Sequence, residues 1–127
     1  MNKSMLKMVR DFHVAFGQRV GDKLEFPDKN ERELRLKLLR EEFQEYLNAE
    51  ENNDIVNTAA ELADIIYIVC GTAVSYGIPL DDVFSEIHRA NMNKLVDGKV
   101  LRRADGKIQK PEGWKPADIE GILNNHS

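Results

Sequence analysis

Apolar residues follow a helical spacing at the start of the chain. A stripe with intervals of one, three and four residues contains Met5, Met8, Val9, Phe12 and Phe16. This spacing places the side chains on one face and predicts a first helix over residues 4–20, with Ser4 as N-cap. His13 lies beside the aromatic residues, where a packed or surface histidine is more common than a substrate contact.

Two apolar lines run along the second predicted helix, which begins between residues 28 and 31 and ends near residue 49. At about 100° per residue, one line contains Leu36, Leu39, Phe43, Tyr46 and Leu47. The other contains Leu34 and Leu38, and it is continued by Glu41, Glu42 and Glu45. Three carboxylates therefore extend an apolar stripe instead of forming a separate solvated face.

A third helix is predicted from its nearly uniform apolar character. Twelve of the sixteen residues between Ile55 and Cys70 are apolar. The four exceptions fall within one arc of about 120°, and they are Asn57, Thr58, Glu61 and Asp64. A helix that is apolar nearly all round is a central one, and we expect it to run from an N-cap at Asp54 to about residue 76.

The remaining elements are shorter. Gly77 and Pro79 end the third helix, and a fourth is predicted from residue 80 to about residue 95. A tight-turn signal at residues 105–106 predicts a small β-hairpin that pairs residues 100–103 with 107–109. A short last helix follows at residues 116–123. The expected fold is all-α: a bundle of four to five helices with a small C-terminal β-hairpin, in one domain over residues 1–127.

Composition narrows the class of protein. The chain has 127 residues, of which 42% are apolar and 31% charged, as in soluble globular proteins. A net charge of -4 argues against binding nucleic acid. The first residues lack the apolar core of a signal peptide, and Glu61 and Asp64 would be costly inside a bilayer, so no membrane association is expected. We expect a cytoplasmic protein in which Cys70 is a small buried hydrophobe.

The distribution of charge singles out the middle of the chain. Between Arg40 and Arg89 there are eleven Asp and Glu residues and no Lys or Arg, although the chain has 18 basic residues. Carboxylates beside apolar residues that lack a basic partner either have raised pKa values or bind a cation.

Paired carboxylates on two neighbouring helices predict a metal site. Glu42 and Glu45 are three residues apart, as are Glu61 and Asp64, and a short turn makes the two helices antiparallel neighbours. Position 45 is then level with 61, and position 42 with 64. Oxygen ligands of this kind suit Mg²⁺ or Mn²⁺. The same acids are also compatible with an ordinary solvated face, or with neutralisation by Lys or Arg from the flanking segments.

These motifs resemble a known superfamily. Glu41-Glu42-Phe43-Gln44-Glu45 followed by Glu61-Leu62-Ala63-Asp64 is similar to the paired motif of the all-α nucleoside triphosphate pyrophosphohydrolases, which include MazG-like proteins, dimeric dUTPases and phosphoribosyl-ATP pyrophosphohydrolases. The segment Ala90-Asn91-Met92-Asn93-Lys94-Leu95 resembles the downstream motif of that superfamily. The tail from Asp105 to Trp114 is similar to phosphoribosyl-ATP pyrophosphohydrolase-like members, and the resemblance covers about residues 30–116.

The resemblance implies an activity and a set of site residues. Mg²⁺, for which Mn²⁺ is a possible substitute, would be held by Glu42, Glu45, Glu61 and Asp64, with Glu41 as a supporting acid that helps to orient water. Asn91 and Lys94 would reach the phosphates of a nucleotide substrate. The candidates for the outer phosphates, if they are not simply solvated, are Arg102, Arg103 and Lys107. The implied reaction is attack of a metal-activated water between the α and β phosphates of a nucleotide such as dUTP, which releases a nucleoside monophosphate and pyrophosphate.

Further expectations concern assembly, alternative functions and the base pocket. Helices that are apolar on two faces predict a homo-oligomer, at least a dimer, and the resemblance supports it. The sequence argues against a di-iron bundle, because such a bundle needs Glu-x-x-His on two helices, and His13, His88 and His126 have no Glu three residues before them. The alternative from another class is a non-catalytic helical interaction module with a solvated acidic face. Phe12, His13 and Phe16 are candidates for a base pocket.

Overall fold

Five helices make up the regular structure of the computed structural model, which describes residues 3–126. They are α1 Met5–Ala15, α2 Lys29–Glu51, α3 Ile55–Tyr76, α4 Leu80–Met92 and α5 Ile119–Asn124. The all-α prediction is confirmed. Residues 3–126 contain two isolated β-bridges and no sheet. The chain divides after Leu80 into two compact units.

The first unit is built around α3, which packs against α2 on one side and α1 on the other. Helix α2 begins where the Asp28 side chain accepts a hydrogen bond from the Glu31 backbone N–H. Asp54 caps α3 in the same way, through the backbone N–H of Asn57. The turn between the helices is only three residues long, so α2 and α3 run antiparallel, as predicted.

A small apolar core joins α1 to the C-terminal half of α3. Val9, Cys70 and Val74 are buried together, and Leu6, Val20 and Leu80 pack around them. Cys70 is therefore a buried residue of the core, as its position in an apolar run predicted.

Helix α1 ends five residues earlier than its apolar stripe predicted. The chain leaves the helix after Ala15, and Gly17 adopts a left-handed conformation with φ of 68°. The loop that follows is anchored to the end of α3, because Gly21 N–H donates to Val74 O and Glu25 N–H donates to Tyr76 O. Apolar periodicity continued into this loop because Val20 packs on the same core without being helical.

Neither of the two apolar lines predicted on α2 is buried along its whole length. Leu36 and Phe43, on one line, are each 51% exposed, and Leu34, on the other, is 47% exposed. The residues of α2 that are buried are Arg35 and Ala49. A charged residue therefore occupies an interior position in the helix pair.

Helix α3 remains largely uncovered within the chain. By length and composition it could cross a membrane, with a mean hydropathy of 1.4, and 11% of that span is buried inside the protein. An apolar helix with so little cover needs a further apolar neighbour.

The second unit contains most of α4 and the C-terminal segment, which folds back on it. Trp114 Nε1 donates to Ala90 O, and the backbone N–H of Asp118 donates to the Glu86 carboxylate. His126 lies 2.8 Å from Asp82 at the other end of α4. The predicted β-hairpin is not formed as a sheet.

The segment predicted as a hairpin is joined by few hydrogen bonds. Arg102 and Ile108 form a single antiparallel bridge, and the N–H of Arg103 donates to Lys107 O. The turn at residues 105–106 forms as expected, but a ladder this short does not extend into strands. Helix α4 also ends earlier than predicted, at Met92 instead of residue 95.

Glu86 links α4 to the C-terminal segment in a pH-dependent way. Hydrogen bonds from the Arg89 guanidinium, and then from the Asp118 N–H, lower the pKa of Glu86 to about 2. Because the folded pKa lies below the ordinary value of 4.5, the stabilisation is present above pH 4.5 and is lost as the pH falls towards 2. We expect the fluorescence of Trp114, the single tryptophan, to change in this window.

A pair of variants tests this link. Glu86→Ala is expected to show the altered Trp114 emission already at pH 7, because the Asp118 anchor is absent at every pH. Asp105→Ala is the matched control, since the Asp105 carboxylate binds Arg103 and the Lys107 N–H within its own turn. Emission of Glu86→Ala identical to that of the wild type at pH 7 would contradict the role of Glu86.

Candidate metal site

Three carboxylates converge where α2 and α3 face each other. One carboxylate oxygen from each of Glu42, Glu45 and Glu61 lies within 4.8 Å of the other two. Glu42 and Glu45 are one helical turn apart on α2, and Glu61 comes from the antiparallel α3. Three of the four acids expected from the sequence spacing thus converge, and Glu42 lies beside Glu61 instead of Asp64.

Two of the oxygens in this cluster are buried without a partner. Glu42 Oε2 and Glu61 Oε2 are shielded from solvent and, with both carboxylates ionised, neither accepts a hydrogen bond. Two ionised carboxylates have only acceptors and cannot bond to each other. Among residues 3–126, none of the three glutamates forms an ion pair with Lys or Arg. Neutralisation by a basic side chain from the flanks is therefore not seen in the described part of the chain.

The environment raises the pKa of Glu42 to about 7. Burial of the carboxylate is the main cause, followed by a hydrogen bond with Glu61 that only the protonated form can donate. The negative charges of Glu45 and Asp64 raise the pKa further. A divalent cation would reverse these effects, because it stabilises the ionised form of each carboxylate.

The raised pKa predicts an unusual dependence of stability on pH. Since the folded pKa of about 7 exceeds the ordinary value of 4.5, the metal-free protein binds more protons when folded. The contribution of Glu42 to the free energy of unfolding is therefore fully present below pH 4.5 and is lost as the pH rises through 7. Urea unfolding in EDTA at pH 5 and pH 7.5 measures this loss.

Glu42→Gln isolates the contribution from other titrating groups. The loss of stability between pH 5 and pH 7.5 should be smaller in Glu42→Gln than in the wild type. Saturating Mg²⁺ should remove most of the wild-type loss, because the cation takes the place of the proton. An equal loss in the wild type and Glu42→Gln would contradict the raised pKa.

The other two predicted acids have different positions. Asp64 is not one of the three carboxylates that converge, although its charge still acts on Glu42. Glu41 is exposed and lies 3.9 Å from Lys37 on the same helix. Glu42, Glu45 and Glu61 are therefore the closest set of candidate ligands, with Asp64 near Glu42 and Glu41 on the surface.

The predicted phosphate-binding residues all belong to the second unit. The Lys94 ammonium lies 5.3 Å from the centre of the Trp114 ring. The Arg102 guanidinium donates to Gly106 O, and that of Arg103 pairs with Asp105. Contact of these side chains with a nucleotide, and that of Asn91 and Lys107, stays a prediction.

The candidate base-pocket residues on α1 differ in their exposure, and Phe16 is 69% exposed. His13 is buried, and its Nδ1 lies 2.8 Å from Arg19 O. Phe12 stacks on Phe16 and meets Tyr67 edge to face. His13 is thus the packed histidine that the commoner interpretation expected.

Arg35 is an interior residue that the sequence pattern did not single out. Its Nε donates to Thr72 Oγ1 at 3.1 Å, and its Nη2 donates to Ile68 O at 2.9 Å. The signal that could have identified it is its position seven residues before Glu42, on the same side of α2.

The sequence was compared with models of known protein families and with curated proteins. A model of the family described as phosphoribosyl-ATP pyrophosphohydrolase matches residues 9–91, which are about two-thirds of the chain. The match includes α2, α3 and all three converging glutamates. A search of curated proteins found no match.

Proposed function

Because the chain belongs to the phosphoribosyl-ATP pyrophosphohydrolase family, we propose that it is a Mg²⁺-dependent nucleoside triphosphate pyrophosphohydrolase. Members of the family hydrolyse phosphoanhydride bonds, and the protein is a hydrolase of that class. Beyond this family activity, we propose which metal is used, which class of substrate is bound and which bond is broken. In the proposed reaction a nucleoside triphosphate and water give a nucleoside monophosphate and pyrophosphate.

The observation that carries the proposal is the pair of buried carboxylate oxygens without partners, Glu42 Oε2 and Glu61 Oε2. Leaving such atoms unpaired costs free energy, which a bound cation would recover. The donors that converge are all oxygens, and oxygen donors suit Mg²⁺ and, in its place, Mn²⁺. The residues proposed to hold the cation are Glu42, Glu45, Glu61 and Asp64.

In the proposed reaction, different side chains would bind the cation, orient the water and contact the phosphates. A bound divalent cation lowers the pKa of an attacking water and neutralises charge on the phosphates. Glu41, on the exposed side of α2, would help to orient the water. Residues 89–115 contain eight Lys and Arg residues against three Asp and Glu, so this segment can supply the positive charge that a polyphosphate needs. Within it we propose as phosphate contacts Asn91, Lys94, Arg102, Arg103 and Lys107.

A nucleotide panel with product identification tests the function. The panel contains the standard ribo- and deoxyribonucleoside triphosphates, dUTP, phosphoribosyl-ATP and the corresponding diphosphates. We expect Mg²⁺-dependent release of pyrophosphate and a nucleoside monophosphate from at least one triphosphate, with removal of (d)NTPs such as dUTP as the proposed role. Release of inorganic phosphate alone, or no turnover of any compound, would contradict the proposal.

We also propose that the protein is a homo-oligomer, at least a dimer. A stripe on α3, called here the α3 stripe, has intervals of four and three residues and contains Ile55, Ala59, Leu62, Ile66 and Val69. All five are exposed and none carries a charge. This spacing is that of a coiled-coil seam, which a second copy of the same stripe can cover around a two-fold axis.

Because Glu61 and Asp64 lie on the same helix, a membrane partner is not proposed, and the expected location is the cytoplasm.

A further inference from the structure

Arg35 is a buried cation that joins α2 to α3 two helical turns from the carboxylate cluster. It is 5% exposed, and its guanidinium donates to the Thr72 hydroxyl and to the Ile68 carbonyl, both on α3. Among residues 3–126, no carboxylate forms an ion pair with it. Burial lowers the pKa of Arg35, and the charge of Glu31 partly opposes this effect. A buried charge that is held only by neutral acceptors adds little to stability over an apolar residue.

The contacts of Arg35 with α3 lie on the same sides of α2 and α3 as the carboxylate cluster. Seven residues after Arg35 on α2 comes Glu42, and seven residues before Ile68 on α3 comes Glu61. Since seven residues make about two helical turns, the pair of residues 35 and 68 and the pair 42 and 61 lie on the same side of both helices. The bond from Ser75 Oγ to Glu31 Oε2, 2.7 Å long, extends this polar line by a further turn. A line of polar contacts therefore leads along the helix interface to the metal site.

The position of the guanidinium is restricted from a third side. Gly71 provides the space for it, because a Cβ at this residue would lie 2.3 Å from Arg35 Nη2 and 3.1 Å from His13 Nε2. The guanidinium thus donates to two acceptors on α3 and lies against Gly71, which also faces the buried histidine of α1. Apolar contacts between helices tolerate sliding and rotation better than such directional hydrogen bonds do.

We propose that Arg35 is a positioning residue that fixes the register of α2 on α3 and so holds the carboxylates of the two helices at the spacing that a divalent cation requires. The proposal rests on the function proposed above. Its physical basis is that Glu42, Glu45 and Glu61 repel one another before the cation binds, which favours separation of the helices at the site. The hydrogen bonds of Arg35 oppose that separation from two turns away.

Three variants separate positioning from stability. Arg35→Met keeps an unbranched side chain and removes the donors. Gly71→Ala keeps Arg35 but fills the space of its guanidinium, while alanine favours the helix more than glycine does. Val9→Ala is the control, because it opens a cavity between α1 and α3 and leaves the α2 contacts intact. Mn²⁺ affinity of the intact protein, measured by electron paramagnetic resonance without nucleotide, is compared with Tm.

We expect Arg35→Met and Gly71→Ala to weaken Mn²⁺ binding by roughly tenfold or more, as loss of groups that orient metal ligands does. Val9→Ala should lower Tm while Mn²⁺ affinity changes by less than about twofold, because its contacts do not set the register. Mn²⁺ affinity that is unchanged in Arg35→Met, or that follows Tm equally in all three variants, would overturn the proposal. A wild type that binds Mn²⁺ but hydrolyses no nucleotide would overturn the proposed function alone, and a wild type that binds no Mn²⁺ would overturn both.

Discussion

Replacement of Glu61 by glutamine is expected to abolish pyrophosphate release and, in the absence of metal, to raise the thermal stability of the protein. Glu61 Oε2 is buried without a hydrogen-bond partner and lies beside Glu42. The amide removes one of the repelling charges and can donate a hydrogen bond to the Glu42 carboxylate. Loss of a metal ligand removes several kcal/mol of transition-state stabilisation. This corresponds to a decrease in rate of roughly 10³-fold or more.

The opposite signs of the two effects make this variant informative. Tm in EDTA should rise by about 2–5 °C, which corresponds to roughly 1 kcal/mol in a domain of this size. Glu51→Gln is the matched control, because Glu51 is an exposed acid at the end of α2, and both rate and Tm should stay at wild-type values. Full Mg²⁺-dependent activity in Glu61→Gln would contradict the metal site, and a lower Tm would contradict the unpaired state of the carboxylate.

The exposed acids provide a graded comparison. Glu45→Gln and Asp64→Asn are also expected to abolish pyrophosphate release. Both side chains are exposed, so their removal should change Tm less than Glu61→Gln does. Retention of full activity in both variants would remove the assignment of these two residues as ligands.

Replacement of Ile66 by arginine is expected to dissociate the proposed dimer. Ile66 lies in the middle of the α3 stripe and is 44% exposed within one chain. A second copy of the stripe would bury it, and a charge placed there would be buried without a partner. Light scattering coupled to size-exclusion chromatography should give the mass of a dimer or larger oligomer for the wild type and that of a monomer for Ile66→Arg.

The control for this prediction lies on the same helix. Val56 is 75% exposed but is not on the α3 stripe, so Val56→Arg should leave the oligomer intact. Tm of the wild type should also rise with protein concentration, as expected when folding and association are coupled. A wild type that is monomeric at all concentrations would contradict the proposal, as would dissociation of both variants to the same extent.

The helices and their ends could be derived from the sequence where local interactions set them. Ser4 and Asp54 were recognisable as N-caps because their side chains accept hydrogen bonds from backbone N–H groups only three residues away. The end of α1 could not be derived from the sequence, because the apolar stripe continues to Val20, which packs on the core from a loop. The extent of the hairpin could not be derived from the sequence either, because turn residues alone do not determine how many cross-strand hydrogen bonds form.

By itself, the sequence determined that Glu42, Glu45 and Glu61 meet, because the three-residue spacing on two helices joined by a short turn leaves few other arrangements, but it also placed Asp64 in this set, which the structure does not. Only the tertiary structure decided which side of α2 is interior. The sequence predicted two apolar lines on α2 and left open which of them is interior, whereas the structure buries Arg35 and half-buries Glu42. The physical reason is that the apolar pattern of a helix indicates how much of its surface must be buried. It does not indicate which neighbouring element buries each part of that surface. A polar residue is buried where acceptors on another helix, here Thr72 and Ile68, meet its donors.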